Sequence, residues 1–172
     1  RLPANAHYAA LGHLHRPQEI AGAPCRAAYA GSLIELDFGE KEQQKRAVLV
    51  AKRQLTPTIW HLEFEVQGEV DDYAPGQFAR LHVGGGEWRD YSIAGLDRQR
   101  VQFLISTRTG GHGSRFVQNA LIGTQTEIEL PLGHYTLLPG SQRKIFVATG
   151  TGLAPFLPMF RALDREGARH AA

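Results

Sequence analysis

The sequence contains a single cysteine and no long apolar run. Cys25 alone can form no internal disulfide and cannot hold an iron–sulfur cluster, which needs several ligands. No stretch reaches the roughly 18 consecutive apolar residues of a membrane-spanning helix, so we expect no membrane partner. A single cysteine also fits a reducing compartment, and we predict a cytoplasmic location.

The sequence also lacks a large excess of either charge, and it does not begin with methionine. The 172 residues carry a formal net charge of +2, which is too small to predict nucleic acid as a partner. Position 1 is arginine, which indicates an N-terminus that has been processed or cut. With 42% hydrophobic and 21% charged residues, the chain has the composition of a globular protein.

Residues with strand periodicity fill the middle of the chain. In WHLEFEV, residues 60–66, apolar side chains occupy every second position, as in a strand with one buried face. Four further segments have the length and composition of short strands, at residues 77–83, 89–95, 100–106 and 126–131. Short strands at this spacing are typical of an antiparallel barrel or sandwich. We predict one closed or nearly closed antiparallel barrel over residues 48–140.

Two helices are predicted after these strands. The first begins near Gly113, with Ser114 as its N-cap. The second follows the segment IFVATGTGLAP, with Pro155 in its first turn and Gly167 at its end. A strand, a Gly-rich turn and a helix are the opening of an α/β unit. Too few residues follow for a complete nucleotide-binding domain, so we expect the chain to end inside it.

The segment WRDYSIAG, residues 88–95, places three chemically different side chains on one extended stretch. The guanidinium of Arg89 is a planar fork of donors suited to phosphate. The ring of Tyr91 offers a flat stacking face, and the hydroxyl of Ser92 donates or accepts a hydrogen bond. A nucleotide with a phosphate arm and a planar head would use all three. The alternative is a surface strand with a cross-strand ion pair.

Two Gly-rich turns are candidate phosphate sites. In TGGHGSRF, residues 109–116, glycines lead into a helix start, where free N–H groups and the helix dipole favour anions. In VATGTGLAP, residues 147–155, a strand runs through Gly150 and Gly152 into a helix, although Pro155 departs from the full dinucleotide-binding pattern. The alternatives are a flexible hairpin loop and an ordinary strand-to-helix turn.

Together these motifs resemble those of the ferredoxin–NADP⁺ reductase-type flavoproteins. RDYSIAG is similar to their R-x-Y-S motif, and GGHGS to their G-x-x-S motif at a helix start. PLGHYTL, residues 131–137, resembles their P-x-G-x-F segment, and GTGLAPFL the start of their pyridine-nucleotide domain. Order and spacing agree over residues 48–167. The resemblance implies a mainly β fold: a six-stranded antiparallel flavin-binding barrel with one helix, then the first β-α unit of a truncated α/β nucleotide-binding domain.

The resemblance also implies roles for individual residues. Arg89 would pair with flavin phosphate, Tyr91 would stack on the isoalloxazine, and Ser92 would act near N5 as the catalytic residue. The other implied cofactor-binding residues are Asp90, to which no role is assigned, Ile105, Ser106, Thr107, His112, Gly113, Ser114 and Thr149. Regular alternation puts Arg89 and Tyr91 on one strand face and Ser92 on the other, so the strand is expected to end or twist near Tyr91.

FAD is the implied cofactor, with FMN as the alternative. The GGHGS segment can hold a pyrophosphate, which favours FAD. NAD(P)H would be the substrate of the complete enzyme, and electrons would pass through FAD to ferredoxin, flavodoxin, an oxygenase component or a fused domain. We therefore predict a flavin-dependent NAD(P)H oxidoreductase that is incomplete in this chain.

The N-terminal segment carries a different pattern. In GHLHRPQ, His13 and His15 could serve as ligands for a transition metal, and the alternative is a polar turn with surface histidines. The segment from residue 8 to about residue 50 resembles the C-terminal edge of the nuclease domain of SbcD-type exonucleases, which are α/β metallophosphoesterases. A two-metal centre also needs carboxylates from motifs that this sequence lacks. We predict an orphan half-site that binds no catalytic metal.

The predicted domains are a nuclease-domain remnant at residues 1–47, an FAD-binding barrel at 48–142 and the start of a truncated NAD(P)-binding domain at 143–172. Two alternative functions stay open. In the first, the chain is a fragment of a metal-dependent DNA exonuclease or phosphodiesterase, and the barrel takes no part in its activity. In the second, the chain is a non-catalytic module that binds flavin or a partner.

Overall fold

The computed structural model describes residues 8–12, 18–19, 26–29, 44–70, 72–140 and 143–170. Its strands are β1 (Tyr8–Gly12), β2 (Gln18–Glu19), β3 (Arg26–Tyr29), β4 (Gln44–Gln54), β5 (Ile59–Val66), β6 (Phe78–His82), β7 (Trp88–Asp97), β8 (Arg100–Ser106), β9 (Gln125–Leu132) and β10 (Ile145–Ala148). Its helices are α1 (His112–Asn119) and α2 (Phe156–His170), with a 3-10 turn at Gly150–Leu153. Within these ranges, neither helix combines the length and apolar character needed to cross a membrane.

Six strands close into a barrel in the order β4-β5-β8-β7-β6-β9. Every neighbouring pair is antiparallel, which confirms the predicted fold class. The first barrel strand begins at Gln44 rather than at residue 48, and its first five residues pair with β9, from Gln44↔Glu129 to Val48↔Gln125.

The core of the barrel follows from strand alternation. Leu62 and Phe64 of β5 are fully buried, and the ring of Phe64 meets that of Phe103 on β8 edge to face, with centroids 6.1 Å apart. Val117 of α1 belongs to the same buried cluster, so α1 packs against the barrel core. Burying each such large apolar side chain contributes about 1.5–3 kcal/mol.

Two predicted helix boundaries are wrong. Helix α1 begins at His112 with Gly111 as its N-cap, so Ser114 lies inside the helix. Its hydroxyl oxygen lies 3.1 Å from that of Thr109 instead of capping the helix. Helix α2 continues through Gly167 to His170. One glycine is tolerated in a helix interior at a cost of about 1 kcal/mol, so it does not force an end.

A second sheet has the strand order β10-β1-β3-β2. β1 pairs in parallel with both β10 and β3. The predicted start of the nucleotide-binding domain therefore shares a sheet with the described strands of the N-terminal segment. Helix α2 packs Phe156 and Phe160 against Phe146 of β10, with ring centroids 5.1 and 4.9 Å from it.

Candidate functional site

Strand β7 changes partner half-way along its length. Residues 88–92 pair with β6, whereas β8 pairs with residues 93–97, with a register shift between Ile93 and Gly95. In the described part of the chain, residues 88–92 of β7 and 104–106 of β8 have no ladder partner in each other. We call this opening the β7–β8 gap. The strand was expected to end or twist near Tyr91, but it continues to Asp97, and the irregularity lies two residues further on.

The β7 wall of the gap presents unpaired backbone. The N–H of Ile93 donates to the carbonyl of Gln77 on the β6 side, over 3.1 Å. Because backbone groups of successive strand residues point to opposite edges, the N–H and C=O of Asp90 and Ser92 face the gap. Ser92 is half-buried. It therefore presents its backbone at this edge.

The three residues predicted at the end of β8, Ile105, Ser106 and Thr107, do not all face the gap. The N–H of Thr107 donates to the carbonyl of Thr58 over 2.8 Å, and its hydroxyl donates to the same oxygen over 3.3 Å. By the same alternation, the backbone of Ser106 faces the gap and that of Ile105 faces β5. Ile105 is 2% exposed and belongs to the core. The structure therefore brings Ser106 to the gap, whereas Ile105 packs in the core and Thr107 bonds to Thr58.

The start of α1 supplies hydrogen-bond donors. The described residues include no side chain that caps this end, and the N–H of Arg115 is the first to bond back to the N-cap carbonyl, that of Gly111, over 3.0 Å. The N–H groups of residues 112–114 precede it and have no intrahelical acceptor. His112 is exposed, and Gly113 and Ser114 are buried. Together with the helix dipole, these donors favour an anion.

Gly113 brings this helix start close to β7. A Cβ atom added to Gly113 would overlap the hydroxyl of Tyr91 and lie 3.6 Å from Cγ of Arg89. The absence of a side chain is therefore what lets α1 approach the strand. The side chain of Arg89 is 44% exposed and pairs with Glu87 at 2.7 Å. Its guanidinium also donates to the carbonyl of Trp88 over 2.6 Å.

Tyr91 lies between the core and the helix start. Its ring centroid is 6.2 Å from that of Phe103. Burial raises the pKa of Tyr91 to about 12, with Arg89 opposing the shift and Asp90 adding to it. The hydroxyl is therefore protonated at neutral pH and available as a donor beside Gly113.

Asp90, which was predicted as a cofactor-binding residue without an assigned role, engages its side chain elsewhere. Its carboxylate pairs with Arg80 at 3.2 Å, and Arg80 also pairs with Glu129 at 3.3 Å. These residues form a cross-strand row through the register Arg80↔Asp90 and Arg80↔Glu129. Alternation along β7 places this row on the face opposite to Arg89 and Tyr91. The structure brings only the backbone of Asp90 to the gap.

One predicted cofactor-binding position lies away from this cluster. Thr149 is exposed at the end of β10, and the 3-10 turn that follows it lies beside β8. His13 and His15 lie outside the described residues.

Sequence reasoning missed residues that hold α1 in place. The ammonium of Lys52 donates to the carbonyls of Gln118 and Ala120, over 3.0 and 2.8 Å, and lies 4.8 Å from the centroid of Trp60. It thereby satisfies carbonyls at the end of α1, far along the chain from β4. The guanidinium of Arg115 donates to the carbonyl of Gly110 over 3.1 Å. The Thr109–Ser114 contact has a local signal, because both residues lie in the Gly-rich TGGHGS segment.

These donors fit a nucleotide with a diphosphate and a flat ring. An exposed guanidinium and free N–H groups at a helix start suit phosphate oxygens. The backbone groups along the β7–β8 gap and the ring of Tyr91 suit a planar head group. A closed antiparallel barrel with this site is a nucleotide-binding β-barrel.

Comparison with known proteins identifies the family. The model of the oxidoreductase FAD-binding domain matches residues 46–137, and the chain belongs to this family. Membership confirms the predicted flavin barrel and FAD as its cofactor. The chain is 39% identical over 129 residues to ferredoxin–NADP reductase B of Sorangium cellulosum, covering 71% of this chain and 53% of that protein. It is 34% identical over 108 residues to the anthranilate 1,2-dioxygenase electron transfer component of Acinetobacter baylyi, covering 60% of this chain and 32% of that protein.

A solved structure agrees with these relatives. Phthalate dioxygenase reductase superposes with a TM-score of 0.65 at 26% identity, over 71% of this chain and 40% of that chain. The chain thus spans between a third and about half of the relatives' length. None of them is a nuclease, and the family match begins at residue 46. The predicted resemblance of residues 8–50 to an exonuclease edge is not supported.

Proposed function

We propose that this chain is the flavin-bearing part of a reductase that takes electrons from NAD(P)H and passes them through FAD to an oxygenase or ferredoxin component. The observation that carries the proposal is the convergence of Arg89, Tyr91 and Gly113 at the β7–β8 gap. The names of the relatives support the acceptor class, since they include an electron transfer component of a dioxygenase and a ferredoxin–NADP reductase.

The residues at the gap and at the start of α1 have distinct binding roles in this proposal. Arg89 and the N–H groups of residues 112–114 hold the pyrophosphate by charge-assisted hydrogen bonds. Tyr91 would lie against the ring system. The backbone groups of Asp90 and Ser92 would serve the polar edge of the ring, and the Ser92 hydroxyl is assigned to the reacting position. The protein supplies binding and orientation, and bound FAD supplies the transfer of two electrons in and one or two out.

The second part of the proposal concerns the nicotinamide side. The turn from Thr149 to Gly152 follows a parallel strand and lies beside β8. Ligands of open α/β sheets bind at the carboxyl ends of the strands. We therefore assign Thr149 to the approach of NAD(P)H toward the flavin, within a domain that begins near residue 143.

A flavin titration tests the proposal directly. Purified chain is titrated with FAD, FMN and riboflavin while flavin fluorescence is followed, and reduction of FAD-loaded protein by NADH or NADPH is measured anaerobically. We expect FAD to bind more tightly than FMN, and riboflavin, which lacks phosphate, to bind weakest by orders of magnitude. Equal affinity for FAD and riboflavin would contradict the phosphate assignment, and no binding of any flavin would overturn the function.

A further inference from the structure

A second cavity lies on the other edge of β7. It is an open groove of about 620 Å³ between the turn that joins β7 to β8, the loop at Tyr73 and helix α2. Strand β6 pairs with β7 only as far as Ser92, so in the described residues the edge at 95–97 has no ladder partner on that side. Helix α2 lies beside it. The volume is that of a small-molecule site.

The groove has an unusual excess of positive charge. Arg98, Arg161 and Arg165 line it, against the single carboxylate of Asp97. Within the described part of the chain, none of the three arginines makes an ion pair or a hydrogen bond. The other arginines of the barrel wall differ, since Arg80 and Arg100 each pair with two carboxylates. Three unpaired guanidinium groups around one cavity repel each other unless an anion joins them.

The absence of a side chain at Gly95 leaves room for Arg161. A Cβ atom there would lie 2.8 Å from Nη1 of Arg161 and 2.7 Å from Oε1 of Gln102. The guanidinium therefore lies against the backbone of β7, in the lining of the groove. Because guanidinium nitrogens form a rigid fork, a fixed arginine suits the oxygens of a phosphate group.

The hydroxyl of Tyr73 is a second, independent feature of the groove. It is buried and has no hydrogen-bond partner among the described residues. Burial raises the pKa of Tyr73, and Arg161 opposes the shift, so the hydroxyl is a protonated donor near that guanidinium. A buried donor without an acceptor costs free energy. An anionic oxygen between Tyr73 and Arg161 would satisfy both groups.

We propose that this groove is a second anion site that binds a phosphate-bearing small molecule. Its phosphate oxygens lie on Arg161, Arg165 and the hydroxyl of Tyr73, and its organic part lies along Pro158. The groove is separate from the flavin site, because Gly95 and Arg89 lie at opposite ends of β7, about 20 Å apart at the rise of an antiparallel strand. The proposal does not depend on the chain's function as a reductase.

Calorimetric titration with pyrophosphate and ADP tests the site, in the presence of saturating FAD. We expect one equivalent of each ligand to bind, and the Arg161→Gln/Arg165→Gln double variant to weaken binding by tenfold or more. Arg46→Gln/Arg53→Gln is the charge-matched control, since both arginines are exposed on β4, and it should bind like the wild type. Tighter binding of ADP would support a nucleotide, and equal binding a site for the phosphates alone. Thermal melts of all variants establish that the barrel is folded.

Three outcomes would overturn the proposal. The first is the absence of binding by either ligand at millimolar concentration. The second is equal weakening in the Arg161→Gln/Arg165→Gln variant and in the Arg46→Gln/Arg53→Gln control, which would indicate net charge alone. The third is binding that Arg89→Ala abolishes and the double variant leaves intact, which would place the ligand at the flavin site. FAD binding is measured separately in the same samples, so failure of this site and failure of the flavin assignment are distinguishable.

Discussion

The two halves of β7 are paired on opposite edges, and each leaves the other edge open. Residues 88–92 pair with β6 and open toward β8, whereas residues 93–97 pair with β8 and open toward α2. A closed barrel has no free edge of its own. The exchange of partners within β7 therefore exposes backbone at two places in the described barrel. The first half also carries the side chains of Arg89 and Tyr91, and the second half carries Gly95, which leaves room for Arg161.

The largest expected difference between the two halves of β7 is the effect of an arginine substitution on FAD affinity. Arg89→Ala should weaken FAD binding by about two to four decades, since it removes two charge-assisted hydrogen bonds worth roughly 1.5–3 kcal/mol each. Arg89→Lys should recover only part of this, because an ammonium makes no bidentate contact. Flavin fluorescence quenching measures the affinities.

Arg100→Ala in the strand opposite the second half is the matched control. Arg100 is 58% exposed and pairs with Glu63 and Glu65. As an exposed ion-pair partner it should cost less than about 1 kcal/mol of stability and leave FAD affinity unchanged. Equal loss of FAD binding in the two variants would remove the distinction between the halves.

The next largest effect is expected at the helix start. Alanine favours a helix over glycine by about 1 kcal/mol, yet a methyl group on Gly113 would overlap the hydroxyl of Tyr91. Overpacking of this kind costs about 1–3 kcal/mol. Gly113→Ala should therefore weaken FAD binding by about one to two decades.

Gly111→Ala is the control for this substitution. The nearest atom to a Cβ there is the hydroxyl oxygen of Thr109 at 4.0 Å, and the backbone φ is −70°. We expect FAD affinity close to that of the wild type, measured by the same titration. A larger loss from Gly111→Ala than from Gly113→Ala would contradict the close approach of α1 to β7.

A smaller effect is expected from titration of Tyr91. Its folded pKa of about 12 lies above its ordinary value of 10.0, so the folded state retains the proton more strongly than the unfolded state does. This stabilisation is complete below pH 10 and is lost as the pH rises toward 12. The loss is on the order of 1–3 kcal/mol. Tyr91→Phe should show a correspondingly flatter fall in unfolding free energy between pH 9 and pH 12, measured by denaturant titration of the flavin-free protein. An identical slope in both proteins would exclude a buried hydroxyl at this position.

The smallest effect is expected on the outer face of the first half. Asp90→Asn removes one ion pair from Arg80, which keeps Glu129 at 3.3 Å. We expect less than about 1 kcal/mol of destabilisation and no change in FAD affinity, because only the backbone of Asp90 faces the gap. A tenfold loss of affinity would show that the carboxylate takes part in binding.

The sequence was sufficient for features that depend on short-range pattern. The alternation of Leu62, Phe64 and Val66 placed β5 correctly, and the Gly-rich run before Gly113 placed a helix start beside the R-x-Y-S motif. Features that depend on long-range pairing were not predictable. The exchange of partners at Ile93 is decided by the ladders of β6 and β8, and no residue of β7 signals it. The burial of Ile105, which separates it from Ser106, depends on the same ladders.

The contact of Lys52 with the C-terminal end of α1 is a further feature that local sequence does not predict. Lys52 reaches Gln118 across 66 residues of sequence, so no local motif announces it. The misplaced N-cap at Ser114 has a different cause. Serine is a preferred N-cap, but Gly111, with extended backbone, already caps the helix three residues before Ser114, and the serine hydroxyl is engaged by Thr109.

The ion pair between Glu87 and Arg89 has a consequence for the order of assembly. The guanidinium of Arg89 has the carboxylate of Glu87 at 2.7 Å and the carbonyl of Trp88 at 2.6 Å, so its charge is compensated by groups of the protein itself. The polypeptide is therefore expected to reach its native state first and to load FAD afterwards. Glu87 then acts as an internal competitor that must be displaced. Glu87→Gln would therefore raise the affinity for FAD without any new contact between the protein and the cofactor.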